Sequence, residues 1–250
     1  HQSLNRVFYT AYHSNGFQCL IGLAHDRQKI REGFRYSMKQ DFTTSVTGKT
    51  VLQVPIQAEQ TQTPQSAFTE QDWRRFLVSL GEHPDRDGLV ETPSRVAKAW
   101  KHWTAGYALD PAECLKVFED GADEYNELIM VRSIPVYSHC EHHLAPFFGS
   151  ATIGYVPNGK IVGLSKLTRL VDCFAQRLQV QERLTVQIAN ALMTYLEPQA
   201  VGVVIRCRHL CMESRGIRTQ GEETVTSSML GALQTHQALR AEFFALAREA

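Results

Sequence analysis

An α+β fold is predicted by three features of the sequence. From Thr69 onward, helical and strand periodicities follow one another as helix pair, strands, helix pair, strands, helix. The apolar runs are of core-strand length, as in Val201 to Ile205, and none approaches the roughly 18 residues a membrane span needs. The 250 residues are 43% hydrophobic and 21% charged, which supports a sizeable core and argues against wholesale disorder.

The elements follow in order. Residues 1–67 stand apart. Asp26, Glu32, Asp41 and Glu59 are the only acids before Ala67, the aromatics are scattered without period, and Gln53 to Ser66 is rich in Gln, Thr and Pro. That composition suits an arm and a solvated linker. Residues 68–250 form the expected domain, with a helical part over 68–120 and the catalytic part over 121–250. Thr69 and Asp72 make a capping-box pattern ahead of Trp73, Phe76, Leu77 and Leu80. Thr92 reads as the N-cap and Pro93 as the first residue of a second helix, and Asp110, Pro111 and Glu113 repeat that start. Strands are predicted over Leu128 to Tyr137 and Ser150 to Val156, with Pro157-Asn158-Gly159 as the turn. Ser165 opens a helix carrying Leu167, Leu170, Val171 and Phe174. Another begins near Gln181, carries Leu184, Ile188, Ala191 and Leu192, and stops at Pro198. Val201 to Arg208 and Ile217 to Thr226 read as strands, and Ala238 to Arg248 as the closing helix.

Charge and cysteine usage narrow the function. Lys+Arg is 26 against 26 for Asp+Glu, so no chain-wide field draws nucleic acid, although a local basic pocket stays open. Aromatic content is 9% with no stacking platform on a strand, which also speaks against single-stranded nucleic acid. Neither nucleic acid nor membrane is an expected partner. The first residues carry no leader pattern. Six cysteines are too few for a disulfide-stapled scaffold, so a reducing, cytoplasmic setting is expected, where a Cys beside a His is a metal ligand or a reactive thiol.

Two clusters carry chemistry. In Ser138-His139-Cys140-Glu141-His142-His143, a short turn can bring the Cys140 thiolate and the His143 imidazole onto one Zn²⁺. In Cys207-Arg208-His209-Leu210-Cys211, positions 207, 209 and 211 share a face if the strand continues, and one of them can supply a third ligand. Three protein ligands leave the fourth position to water, the catalytic arrangement. Histidines not used as ligands are natural proton carriers near neutral pH. Lys166 and Arg169, just inside the helix opened by Ser165, suit a phosphate. Thr47-Gly48-Lys49-Thr50 resembles the end of a phosphate-binding loop, but the glycine that pattern needs is Thr43.

Several separated blocks resemble GTP cyclohydrolase I. They are Cys140 to Phe147, Gly163 to Arg169, Leu178 to Thr185, His209 to Met212 with Arg215-Gly216, and Thr224 to Ser227. Glu91 to Val96 fits as well, and the resemblance spans about residues 69–249. It implies a tunnelling fold assembled as a decamer of two pentamers. It implies conversion of GTP and water to 7,8-dihydroneopterin triphosphate and formate, the entry to folate and pterin cofactors. Zinc would sit on Cys140, His143 and Cys211, and protons would move through His142 and His209. Gln181 and Glu182 would hold the guanine. Arg95, Ser165, Lys166, Arg169 and Arg215 would meet the triphosphate, drawn from more than one subunit. The rivals are a non-catalytic pterin or nucleotide sensor and another tunnelling-fold enzyme of pterin or deazaguanine chemistry. The first would be free to lose His142 or His209, and the second would carry three His on zinc or a Cys nucleophile without it.

Overall fold

Residues 68–118 and 125–248 are described by a computed structural model, so the readings of the arm and of its Thr47 to Thr50 loop lie outside the described residues. Helix α1, Glu70–Ser79, starts where the capping box predicts. The Thr69 backbone N–H and hydroxyl both donate to the Asp72 carboxylate at 2.6 Å. Helix α2, Thr92–Trp103, begins one residue earlier than expected, with Glu91 rather than Thr92 as its cap and Pro93 in its first turn. A 3₁₀ turn, Ala105–Ala108, leads to the single turn of α3, Pro111–Cys114, where Asp110 Oδ1 accepts from the Ala112 N–H at 2.9 Å.

Strand β1, Val117–Phe118, pairs with β4, Ile161–Val162. The main sheet holds β2, Ile129–Cys140, β3, Pro146–Val156, β5, Leu178–Gln179, β6, Ala200–His209, and β7, Thr224–Gly231, in the order β5-β2-β3-β6-β7. All its neighbours are antiparallel except β5 and β2. The predicted α+β class is the one observed. Helices α4, Leu164–Ala175, and α5, Gln181–Leu196, pack on one face. In α4, Leu167, Leu170, Val171 and Phe174 recur at helical spacing and are all buried. In α5, Leu184, Ile188, Ala191 and Leu192 do the same, and the helix ends on Glu197 in the left-handed region before Pro198. After β6 comes the single turn of α6, Leu210–Glu213. After β7 come α7, Ala232–Thr235, and α8, Gln237–Arg248.

Strand β6 is buried on both faces, which explains its unbroken apolar run. Val201, Val203, Ile205 and Cys207 face α4 and α5, while Ala200 and Val204 join a second cluster with Phe243 of α8. Gly154 and Gly202 face each other across β3 and β6, and Phe243 lies over both. A Cβ at Gly202 would come within 2.6 Å of its ring.

Several other boundaries differ from expectation, and strand β3 begins at Pro146 rather than Ser150. Strand β2 runs past Tyr137 to Cys140, because Ser138 and His139 still pair with Phe147 and Pro146. Strand β7 begins at Thr224, not Ile217. Gly216, Arg218 and Gly221 all have positive φ, a conformation that cannot continue a strand. Ser165 is the second residue of α4, with Gly163 as the cap. Among the described residues, no helix is long and apolar enough to cross a membrane.

Candidate active site

Because β3 runs antiparallel to both β2 and β6, its first residues meet the last residues of both neighbours. His139 faces Pro146, and Phe147 faces His209. The chain therefore leaves β2 and β6 at the same end of the sheet. It leaves β2 by a tight turn in which the Cys140 carbonyl accepts from the N–H groups of His143 at 3.2 Å and Leu144 at 2.8 Å. Leu144 sits in the left-handed region. This turn is tied to the start of α5. The Glu141 N–H donates to Gln179 O at 3.0 Å, and the Glu141 carboxylate pairs with Arg183. The Arg183 guanidinium in turn donates to Leu178 O at 3.0 Å and to Gln179 Oε1 at 3.1 Å. Neither Glu141 nor Arg183 is singled out by the spacing of the sequence motifs.

Two thiols and one imidazole converge here. The ligand atoms of Cys140, His143 and Cys211 all lie within 4.8 Å of one another. Cys140 Sγ is 3.8 Å from His143 Nδ1, close to the edge of about 3.3–3.8 Å expected when Zn²⁺ holds ligands tetrahedrally at ~2.0–2.3 Å. Cys140 is buried and Cys211 half-buried, and burial, then the neighbouring Cys140, pushes the Cys211 thiol up from its ordinary value. Arg215 pulls it the other way. A soft cation with two thiolates and an imidazole fits this donor set, and an oxygen-seeking cation does not. His142 Nδ1 is 3.7 Å from Cys140 Sγ, but its ring stands open to solvent. Cys211 is carried by α6, not by the strand, because β6 stops at His209. Cys207 points into the core between sheet and helices, where burial and, less strongly, Glu223 push its thiol up to about 12. It takes no part in the cluster.

His209 closes β6 next to this cluster. Its ring stacks on Phe147, with centroids 4.7 Å apart and 10° between planes, a contact set by their cross-strand pairing. Its Nε2 is 2.8 Å from Gln181 Oε1. Burial lowers the His209 pKa, and the Glu182 carboxylate pulls it back up. The ring is therefore mostly neutral near pH 7 and able to take a proton.

The family model for GTP cyclohydrolase I matches residues 69–248. The chain belongs to the GTP cyclohydrolase I family. GTP cyclohydrolase 1 of Janthinobacterium sp. (strain Marseille) is 75% identical over 182 residues, covering 73% of this chain and 92% of that protein. GTP cyclohydrolase 1 of Nitrosospira multiformis is 69% identical over 182 residues, covering 73% of this chain and 95% of that protein. The enzyme of that name from Corynebacterium glutamicum (strain ATCC 13032) is 56% identical over 178 residues, covering 70% and 89%.

The other residues that the GTP cyclohydrolase I resemblance singles out are spread over several elements. Glu182 is exposed in the first turn of α5, near enough to His209 to influence its charge. The Gln181 side chain is buried and hydrogen-bonded within the protein, to Ile205 O, Thr224 O, Thr226 Oγ1 and His209 Nε2. Arg215 follows α6 and its charge reaches Cys211. Ser165, Lys166 and Arg169 lie along the first turns of α4. Among the described residues, no hydrogen bond or ion pair joins them to the metal cluster. Arg95 is exposed on α2 and paired with Glu91.

Proposed function

We propose that this member of the family is a zinc-dependent GTP cyclohydrolase. It converts GTP and water to 7,8-dihydroneopterin triphosphate and formate, the first step towards tetrahydrofolate and other pterins. The observation that carries the metal reading is the convergence of Cys140, His143 and Cys211 at one end of the sheet, with His142 and His209 beside them. When bound, Zn²⁺ supplies Lewis acidity that lowers the pKa of water at the reacting carbon towards ~7.

The protein's own groups do the rest. Cys140, His143 and Cys211 hold the metal. His142, exposed on the turn, gives and takes protons at the ring nitrogen as the imidazole of guanine opens, and His209 carries protons for the later steps. Glu182 accepts from the N–H edge of guanine, and an analogue without those donors would leave the carboxylate unpaired. Ser165, Lys166, Arg169, Arg215 and Arg95 bind the triphosphate remote from the reacting carbon, which positions the base. The scatter of that set over α2, α4 and the segment after α6 supports a pocket shared between subunits of a homo-oligomer, most simply a decamer of two pentamers. The antiparallel sheet backed by α4 and α5 supports the tunnelling-fold reading.

Purified, zinc-loaded protein given GTP should release formate and develop the ultraviolet absorption of a pterin, and ATP should be turned over poorly. No formate from GTP, or equal turnover of ATP and GTP, would overturn the reading.

A further inference from the structure

Gln181, the first residue of α5, is 1% exposed, and its side chain joins three elements. Its Nε2 donates to Ile205 O of β6 at 3.1 Å and to Thr224 O of β7 at 2.9 Å, and lies 3.1 Å from Thr226 Oγ1. Its Oε1 lies 2.8 Å from His209 Nε2. The surrounding groups fix the direction of every one of these bonds. Carbonyl oxygens only accept, so the amide nitrogen must face Ile205 and Thr224. Turning the amide over would set Oε1 against two carbonyl oxygens. The threonines agree. Thr185 Oγ1 donates its one proton to Gln181 O at 2.8 Å, so in the 2.6 Å contact between hydroxyls Thr226 is the donor and Thr185 accepts. The Thr226 oxygen is then free to share, as a third acceptor, one of the two Gln181 Nε2 protons. Oε1 is left as an acceptor, and the proton it needs comes from His209.

We propose that Gln181 is a positioning residue that holds His209 as the Nε2–H tautomer, so that the Nδ1 lone pair is the one that exchanges protons with substrate. This rests on the reading of His209 as a proton carrier. The opposite tautomer would bring two lone pairs together at 2.8 Å in a part-buried place. The Phe147 ring fixes the plane of the imidazole, and the bond to Gln181 fixes its rotation within that plane. When Nδ1 accepts a proton, the ring becomes an imidazolium with both nitrogens protonated, and the Nε2–H bond to Oε1 becomes charge-assisted. The same contact thus supports both states, and the proton leaves again from Nδ1.

Solid-state ¹⁵N spectra of the zinc-loaded protein with ¹⁵N-histidine, taken without substrate at about pH 8, read the tautomer directly. His209→Asn identifies the signals. The expected result is a protonated Nε2 and a bare Nδ1, and a protonated Nδ1 would overturn the proposal. Gln181→Met keeps the size and removes the acceptor. It should mix the tautomers and lower kcat about ten- to hundredfold, the usual effect of losing the group that orients a histidine, with KM for GTP and zinc content within about twofold of the parent. A raised KM with kcat kept would overturn the proposal and make Gln181 a guanine contact. If the variant does not fold, the parent spectrum decides alone. Failure of the parent protein to release formate from GTP would overturn the proposed activity, while the spectrum would still decide what Gln181 does to His209.

Discussion

Cys207 and Cys211 are four positions apart and opposite in character. The first is packed into the core with its thiol pushed up to about 12, and it behaves as a small apolar side chain. The second sits half-buried on α6 with its sulfur near Cys140 and His143. Cys207→Ser should keep one zinc per subunit, whereas Cys211→Ser and Cys140→Ser should lose it, as read by metal analysis of the purified variants. Zinc lost from the first and kept by the second would show that the wrong thiol had been assigned. The two proton carriers differ in a similar way. His142 is open to solvent on a turn, and His209 is stacked, bonded and half-buried. His142→Ala and His209→Ala should each keep zinc and GTP binding while turnover falls by about 10²–10⁴-fold, the usual range for a general acid–base group. Near-normal turnover in single-turnover assays would make that histidine structural.

Helix α8 lies on the face of the sheet opposite α4 and α5, seated by one ring. Phe243 is fully buried over the flat patch that Gly154 and Gly202 leave on adjoining strands. Phe243→Ala should cost about 3–5 kcal/mol of stability in denaturant unfolding, with zinc content unchanged, because the patch is far along the strands from the metal cluster. Helix α1 offers a pH-dependent case. The Thr69 hydroxyl and N–H, and then Arg75, hold the Asp72 carboxyl down at about 2, against an ordinary 3.8. A lowered carboxylate adds stability above its ordinary value and loses it as pH falls through the lowered one. Asp72→Asn should therefore speed amide exchange in the first turns of α1 at about pH 5, and the difference from the parent should narrow as the pH drops towards 2. A difference that persists in acid would show that charge is not the cause. Elements of this kind were legible in the sequence, since α1, α4 and α5 announce themselves by caps and apolar spacing. The last turns of pairing in β2 were not, because Ser138, His139 and Cys140 are held by what β3 places opposite them. The irregular stretch before β7 was hidden for another reason. Ile217 and Val225 suggest a strand, but the positive φ at Gly216, Arg218 and Gly221 interrupts it. At the site, Cys140 and His143 stand out by residue type and spacing, whereas spacing leaves the third candidate open among Cys207, His209 and Cys211, and only the family resemblance picks Cys211. The roles of Phe147, Arg183 and Thr226 depend on register and on long-range hydrogen bonds that spacing does not encode.

Across the whole molecule, many large apolar side chains lie open to water. Phe76 of α1 and Leu80, which caps the helix, are both exposed, and no residue of that helix is buried. Tyr137 on β2 is 72% exposed, Leu164 at the start of α4 is 61%, and Ile217 is 75%. A single apolar side chain at the surface is ordinary, but this many spread over several elements is what subunit contacts would cover. The residues expected to bind the triphosphate also come from separate elements, α2, α4 and the segment after α6. We therefore expect a large homo-oligomer whose activity falls when it dissociates. Residues 1–66 precede both the family match and α1, and their Gln/Thr/Pro-rich end suits a linker. Deleting them should leave the oligomer, its zinc and its turnover of GTP within about twofold of the parent, because every residue assigned to the site lies after Glu91. Light scattering on the truncated protein, run beside the formate assay over a dilution series, tests both statements. A fully active monomer would defeat the shared pocket. A truncated chain that no longer assembles, or that assembles without zinc, would show that the arm belongs to the working enzyme.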